Sequence, residues 1–173
     1  MSYPQWRHYP SWRTPGSWAK EVVGLVATAA PSISSTAAHL ESNKVLAELR
    51  PALEAIGFQV EGNGPKLARP VLYGDEGQVV KSFNVDAFRA DDGTALEVES
   101  GGAVYNNRIL LDLFKFSLGM DVERGVILVP LRYETPQRAW QDPYPEAVKY
   151  LDAIFANPER LKLPLDGLVL IGY

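Results

Sequence analysis

A mixed β-sheet covered by α-helices on both faces is the fold this sequence predicts, and three patterns predict it. Residues 125–131 (Gly-Val-Ile-Leu-Val-Pro-Leu) and 167–171 (Gly-Leu-Val-Leu-Ile) are almost continuously apolar, as strands buried on both faces are. Residues 82–89 and 94–99 alternate with period two on either side of Asp91-Asp92-Gly93, which reads as an antiparallel hairpin. Runs with helical spacing precede, separate and follow these strands. The order is helix, strand, strand, strand, helix, strand, helix, strand, an α/β arrangement.

The first 17 residues stand apart as an arm, leaving residues 18–173 as a single domain. The arm holds Trp6, Trp12, Tyr3, Tyr9, Arg7, Arg13 and Pro4, Pro10 and Pro15. Proline at this density argues against regular helix or strand, so an extended arm pinned by aromatic rings is expected. It either packs on the body or a second subunit, or meets nucleic acid through Arg and Trp. A helix is expected over residues 17–30, capped by Ser17 and stopped by Pro31. Leu40, Val45, Leu46, Leu49, Leu53 and Ile56 mark a second, which Gly57 ends and Pro51 kinks or divides. Residues 58–61 and 71–73 read as short strands, with a loop at 62–65 and a turn at 74–77. A helix over residues 103–118 follows Gly101-Gly102. A loop around 136–143 leads to a last helix over 145–155.

The 173 residues suit one sizeable core, and 46% apolar with 22% charged is ordinary for a globular chain. The apolar run at 22–30 is too short to cross a bilayer. No cysteine is present, which excludes thiol catalysis, disulfides and cysteine-based zinc sites, and fits a cytoplasmic protein. With only His8 and His39 available, a metal site must be built mainly from carboxylates. Such oxygen ligands favour magnesium, manganese or calcium. The net charge of −4 is not the footprint of a chain held on nucleic acid by bulk charge, although a local basic face is compatible with it.

The chemistry concentrates on the hairpin. Residues two apart on a strand point the same way, so Glu97 and Glu99 share a face. Asp86 sits on the partner strand, and the three carboxylates can converge. Close like charges repel, and a buried carboxylate without a partner is costly. A magnesium or manganese ion resolves both, lowers the pKa of bound water and neutralises charge on a phosphate. The plainer reading is three solvated acids on an exposed strand face. Gly101-Gly102, directly after the strand, would let a substrate approach the backbone.

Asn84-Val85-Asp86, Glu97-Val98-Glu99, Asn106-Asn107, Asp112-Leu113, Phe116 and the run 125–129 together resemble the active-site core of the restriction-endonuclease-like, PD-(D/E)XK, superfamily. The likeness is strongest to its BamHI/BglII-type branch. The usual pattern is an acid on one strand, then Asp/Glu-x-Lys on the next. Here Glu99 takes the Lys position, as a second Glu does in the BamHI type. The resemblance implies a restriction-endonuclease-like fold and a magnesium- or manganese-dependent endonuclease acting on DNA. A homodimer is expected, so that both strands are cut. Asp86 and Glu97 would be metal ligands, and Glu99 would hold or polarise the attacking water. A Glu on the first helix often completes such sites; Glu48 is the first candidate and Glu41 the second, unless Glu48 is simply exposed.

Further cations and amides either contact nucleic acid or have structural roles. Lys81 meets phosphate or caps the strand edge. Asn106, Asn107 and Arg108 bind DNA or cap the helix. Lys66 and Arg69, on a Gly-rich loop, touch a phosphate backbone or are solvated. Lys115 is expected to face solvent. Residues 133–141 are a candidate base-reading loop. No P-loop and no nucleophile-elbow serine pattern occurs. The rival functions are a binding module that keeps the fold without the chemistry, and an interaction domain working through its Trp-rich arm.

Overall fold

The computed structural model describes residues 3–37, 39–62, 66–135, 137 and 139–173. A six-stranded mixed sheet runs in the order β1 (Gln5–Tyr9), β10 (Gly167–Gly172), β7 (Arg124–Val129), β6 (Thr94–Val98), β5 (Ala87–Arg89), β2 (Gln59–Val60). β10, β7 and β6 are parallel neighbours, and the outer pairs are antiparallel. Helices α1 (Ser17–Ile33) and α2 (Ser42–Ala55) cover one face through Val22, Val26, Leu49 and Leu53, against Leu96, Leu128 and Val169. On the other face lie α4 (Arg108–Leu118), α5 (Pro143–Phe155) and the short α3 (Gly102–Tyr105). Here Ile109, Leu113, Phe116 and Leu151 pack on Ala95, Ile127 and Leu168. Each fully buried Leu, Ile or Phe contributes about 1.5–3 kcal/mol, so the two layers hold the central strands from both sides. Two ribbons stand beside the sheet: β3 (Leu67–Tyr73) with β4 (Val79–Val85), and β8 (Tyr133–Glu134) with β9 (Trp140–Gln141). Among the described residues, no helix is long and apolar enough to cross a membrane.

Several local expectations change. The arm is not free of regular structure: its prolines flank residues 5–9, and that proline-free stretch adds β1 to the edge of the sheet against β10. Pro31 does not stop α1, because it lies in the last turn, and the Ser34 N–H still reaches Ala30 O at 3.0 Å. Pro51 does not divide α2; the carbonyl it leaves without a donor belongs to exposed Ala47. Gly57 follows with φ of 90°, which favours glycine. The strand expected at 82–89 breaks at Asp86, since β4 pairs with β3 and β5 pairs with β6. The helix expected at 103–118 breaks at Asn106-Asn107, where Asn107 has φ of 55°. The loops expected at 62–65 and around 136–143 fall partly on residues 63–65, 136 and 138, which lie outside the described residues.

The β5–β6 turn is fastened by charge. Arg89 is 8% exposed; its Nε and Nη2 donate to Asp92 Oδ1 and Oδ2 at 3.0 and 2.9 Å, and its Nη1 donates to Glu21 at 2.6 Å. Thr94 Oγ1 and Arg124 Nη1 also donate to the Asp92 carboxylate. Burial alone pushes Asp92 up, but Arg89, Thr94 and Arg124 outweigh it and hold the group below the usual carboxylate range. A depressed folded-state pKa contributes stability above the unfolded value, and that contribution disappears as pH falls through the folded value. Asp92→Asn is therefore expected to lower stability at pH 7 by about 2 kcal/mol, below the range for a fully buried pair because Asp92 is partly exposed. Urea denaturation should show the gap to wild type narrowing below about pH 4. A gap that stays constant or widens there would refute the assignment.

Candidate active site

Strand β6 sets the direction of the acids. Leu96 and Val98 face α1 and α2, while Ala95 belongs to the opposite core. Period two then turns Glu97 and Glu99 towards α4. The sheet holds Glu99 by its backbone: its N–H donates to Leu128 O at 2.8 Å, and its carbonyl accepts the Tyr173 hydroxyl at 2.9 Å. Asp86 lies at the β4–β5 bend, where its Oδ2 accepts the Val98 N–H at 2.8 Å. That bond fixes the Asp86 carboxylate beside the strand bearing the two glutamates.

Helix α4 completes the cluster. Its buried face runs Ile109, Asp112, Leu113, Phe116, so an aspartate that is 1% exposed points at the sheet among apolar residues. One turn on, Lys115 Nζ lies 2.8 Å from Glu97 Oε1 and 3.0 Å from Asp112 Oδ1. Arg108 Nη1 stands 3.7 Å from Glu99 Oε2. Among the described residues, Asp112 Oδ2 has no hydrogen-bond donor. Burial is the largest cause for each and raises the pKa values of Asp86, Glu97, Glu99 and Asp112. Repulsion from Asp112 adds to it at Glu97 and Glu99 and repulsion from Glu61 at Asp86, while the Val98 N–H at Asp86 and Lys115 at Asp112 work against it. Burial works against the Lys115 ammonium, but Glu97 and Asp112 outweigh it and hold the group charged.

All three acids of the hairpin thus meet on one side of the sheet, and two of them, Glu97 and Glu99, are buried rather than solvated. Lys115 does not face solvent: its side chain is 18% exposed and ion-paired. Glu48 lies on the exposed side of α2, which covers the other sheet face, and Glu41 precedes that helix. Neither is among the leading charges acting on Asp86, Glu97 or Glu99. Glu61, just past β2, does act on Asp86, and its N–H donates to Asp86 O at 2.7 Å. Asp112 and Lys115 escape a reading centred on the hairpin. The available signal was an acid among the apolar residues of an amphipathic helix.

The expected nucleic-acid residues are scattered. Arg69 is not on a loop but in β3, paired with Asp121 at 2.8 Å and lying over the Phe88 ring. Lys66 pairs with Glu61, and Lys81 is exposed on β4 near the Phe83 ring. Asn106, Asn107 and Arg108 are exposed at the α3–α4 joint, and Asn107 makes no side-chain capping bond. Beside this joint a cleft of about 470 Å³ is lined by Arg108, Arg132, His39, Glu41, Ser100 and Tyr133, among others. Of the candidate base-reading loop, which falls partly outside the described residues, Tyr133 and Glu134 of β8 line the edge of this cleft.

The cluster has donors that suit a hard divalent cation: four carboxylates, three of them on residues at least nine-tenths buried, flanked by Lys115 and Arg108. Its arrangement is not yet that of a bound ion. Among the described residues, no three acidic or imidazole groups are drawn together so as to hold a metal, and the Lys115 ammonium sits between Glu97 and Asp112 instead.

The fold is that of the restriction endonucleases. The chain superposes on restriction endonuclease BglII, solved in complex with a DNA 16-mer, with a TM-score of 0.51 and 13% identity, over 99% of this chain and 76% of that one. Residues 21–173 match the family described as "Putative halobacteria restriction endonuclease", and the chain belongs to that family. No curated protein matches the sequence.

Proposed function

We propose that this protein is a divalent-metal-dependent endonuclease that hydrolyses DNA phosphodiester bonds. The observation that carries the reading is the convergence of Asp86, Glu97, Glu99 and Asp112 on one buried site beside the cleft that bears Arg108 and Arg132. Asp86, Glu97 and Asp112 would hold magnesium or manganese; Asp112 takes the part first expected of Glu48. The ion, when bound, supplies an acidified water and a positive charge against the phosphate. Glu99 orients that water, with its carboxylate held near Arg108. Arg108, Arg132, Asn106 and Asn107 position the backbone of the duplex, with Lys81 and Lys66 as outlying phosphate contacts.

The test is incubation with supercoiled plasmid, linear duplex and single strand, each with magnesium, manganese or chelator. Metal-dependent nicking or linearisation is expected. Cutting that continues in chelator would overturn the metal requirement. A second reading, a binding module without catalysis, is favoured by Lys115 occupying the acids where an ion would sit; duplex binding without cutting in either metal would select it.

Cutting both strands calls for two sites, and a homodimer would provide them. Leu111, Phe114 and Leu118 are about half exposed on the outer side of α4, an apolar stripe suited to a second copy. Phe114→Glu is expected to turn a dimer into a monomer in sedimentation analysis; a variant that stays dimeric would place the interface elsewhere.

A further inference from the structure

Among the acids of the site stands one cation tethered to the chain. The Lys115 ammonium bridges Glu97 Oε1 and Asp112 Oδ1 at 2.8 and 3.0 Å, from a helix whose Phe116 is fully buried beside it. Asp112 is 1% exposed and retains an oxygen without a hydrogen-bond donor among the described residues. A buried carboxylate pair of this kind does not remain uncompensated, so something positive must stand between its members. Lys115 has the length to leave: its four-carbon stem starts one helical turn from Asp112, and part of the side chain already reaches solvent. β6 and the Glu99 that follows it carry no lysine, so Lys115 brings the ammonium from α4 instead.

We propose that Lys115 is a built-in counter-ion that occupies the cation position of the site and is displaced when a divalent metal binds. This rests on the metal-dependent reading above. Without metal, Lys115 neutralises Glu97 and Asp112 and keeps the fold intact. With metal, the two carboxylates exchange the ammonium for the ion, and the freed Nζ turns towards the cleft, where a phosphate oxygen of the substrate can accept from it. Lys115 therefore opposes metal binding while it supports the metal-free fold, and these two effects have opposite signs.

The test uses calcium as the probe, measured by calorimetric titration and thermal melting of the full chain, without any assay of cleavage. Lys115→Met keeps the length and removes the charge. In chelator its melting temperature is expected to fall by roughly 6–10 °C, as for a buried charge left without a partner. Its calcium affinity is expected to rise by roughly tenfold or more, because a positive charge next to the ion is gone. A lysine that merely braces the fold would leave affinity unchanged or weaken it, and that result overturns the proposal. Should the variant not fold, acetylation of the wild type read by peptide mass spectrometry decides. Lys115 is expected to become more reactive with calcium than with chelator, and unchanged or lower reactivity overturns the proposal. If wild type binds calcium and Lys115→Met binds no tighter, only this inference fails. If neither binds, the metal-dependent reading fails with it.

Discussion

Asp86→Asn and Glu97→Gln are each expected to lower magnesium-dependent cleavage of duplex DNA by on the order of 10³-fold, the equivalent of several kcal/mol of lost charge stabilisation. Both changes keep the side-chain volume, so the loss is chemical rather than steric. For Asp86 the fold gives an independent control. Burial raises its pKa, so the ionised carboxylate costs the metal-free fold stability at neutral pH, and that cost vanishes as pH falls below the unfolded value. The amide carbonyl oxygen of the Asp86→Asn variant can still accept the Val98 N–H. Asp86→Asn is therefore expected to melt no lower than wild type in chelator while losing cleavage. Wild-type rates in both variants, with circular dichroism confirming the fold, would remove these residues from the catalytic centre.

Gly125→Val is expected to cause the largest loss of stability of any change outside the acid cluster proposed here. Gly125 lies on β7 under α4, and a β-carbon built there would stand 2.5 Å from Phe116 Cδ2 and 2.7 Å from Leu168 Cδ1. Both neighbours are fully buried, so neither can swing away into solvent. Overpacking a tight core costs about 1–3 kcal/mol, and the valine should reach the top of that range. The consequence extends to function. The close approach that Gly125 permits seats α4 on the sheet, and α4 carries Asp112 and Lys115 to Glu97. A lifted helix should weaken calcium binding as well as lower the urea midpoint. Adding Phe116→Leu should recover part of both, because it frees room under the helix. A Gly125→Val protein with an unchanged urea midpoint would show that the contact is slack.

Much of the fold was legible because its strands announce themselves chemically. The runs at 125–131 and 167–171 contain almost nothing that tolerates water, and they became neighbouring central strands. Asp91-Asp92-Gly93 favours a tight reversal, with Gly93 at φ of 64°, and the hairpin formed there. Edges were less legible. Proline density alone predicts an irregular arm, whereas the position of the prolines, on either side of residues 5–9, decides whether a strand can pair. Pro31 and Pro51 show the same thing in helices: what a missing N–H does depends on where the stranded carbonyl points.

Strand period and turn chemistry are local properties, so the residues alone were enough to put Asp86, Glu97 and Glu99 on one side of a hairpin. They were also enough to name the class of ion such a site suits, since the chain has no cysteine and two separated histidines. Three features came instead from the folded arrangement: this side is buried, Glu48 stays outside, and Asp112 and Lys115 enter. These depend on which helix covers which face of the sheet, and that is settled by long-range packing. Glycine at position 125 under Phe116 allows α4 to close over the acids, so a charge that helical spacing alone would leave in solvent ends between two carboxylates.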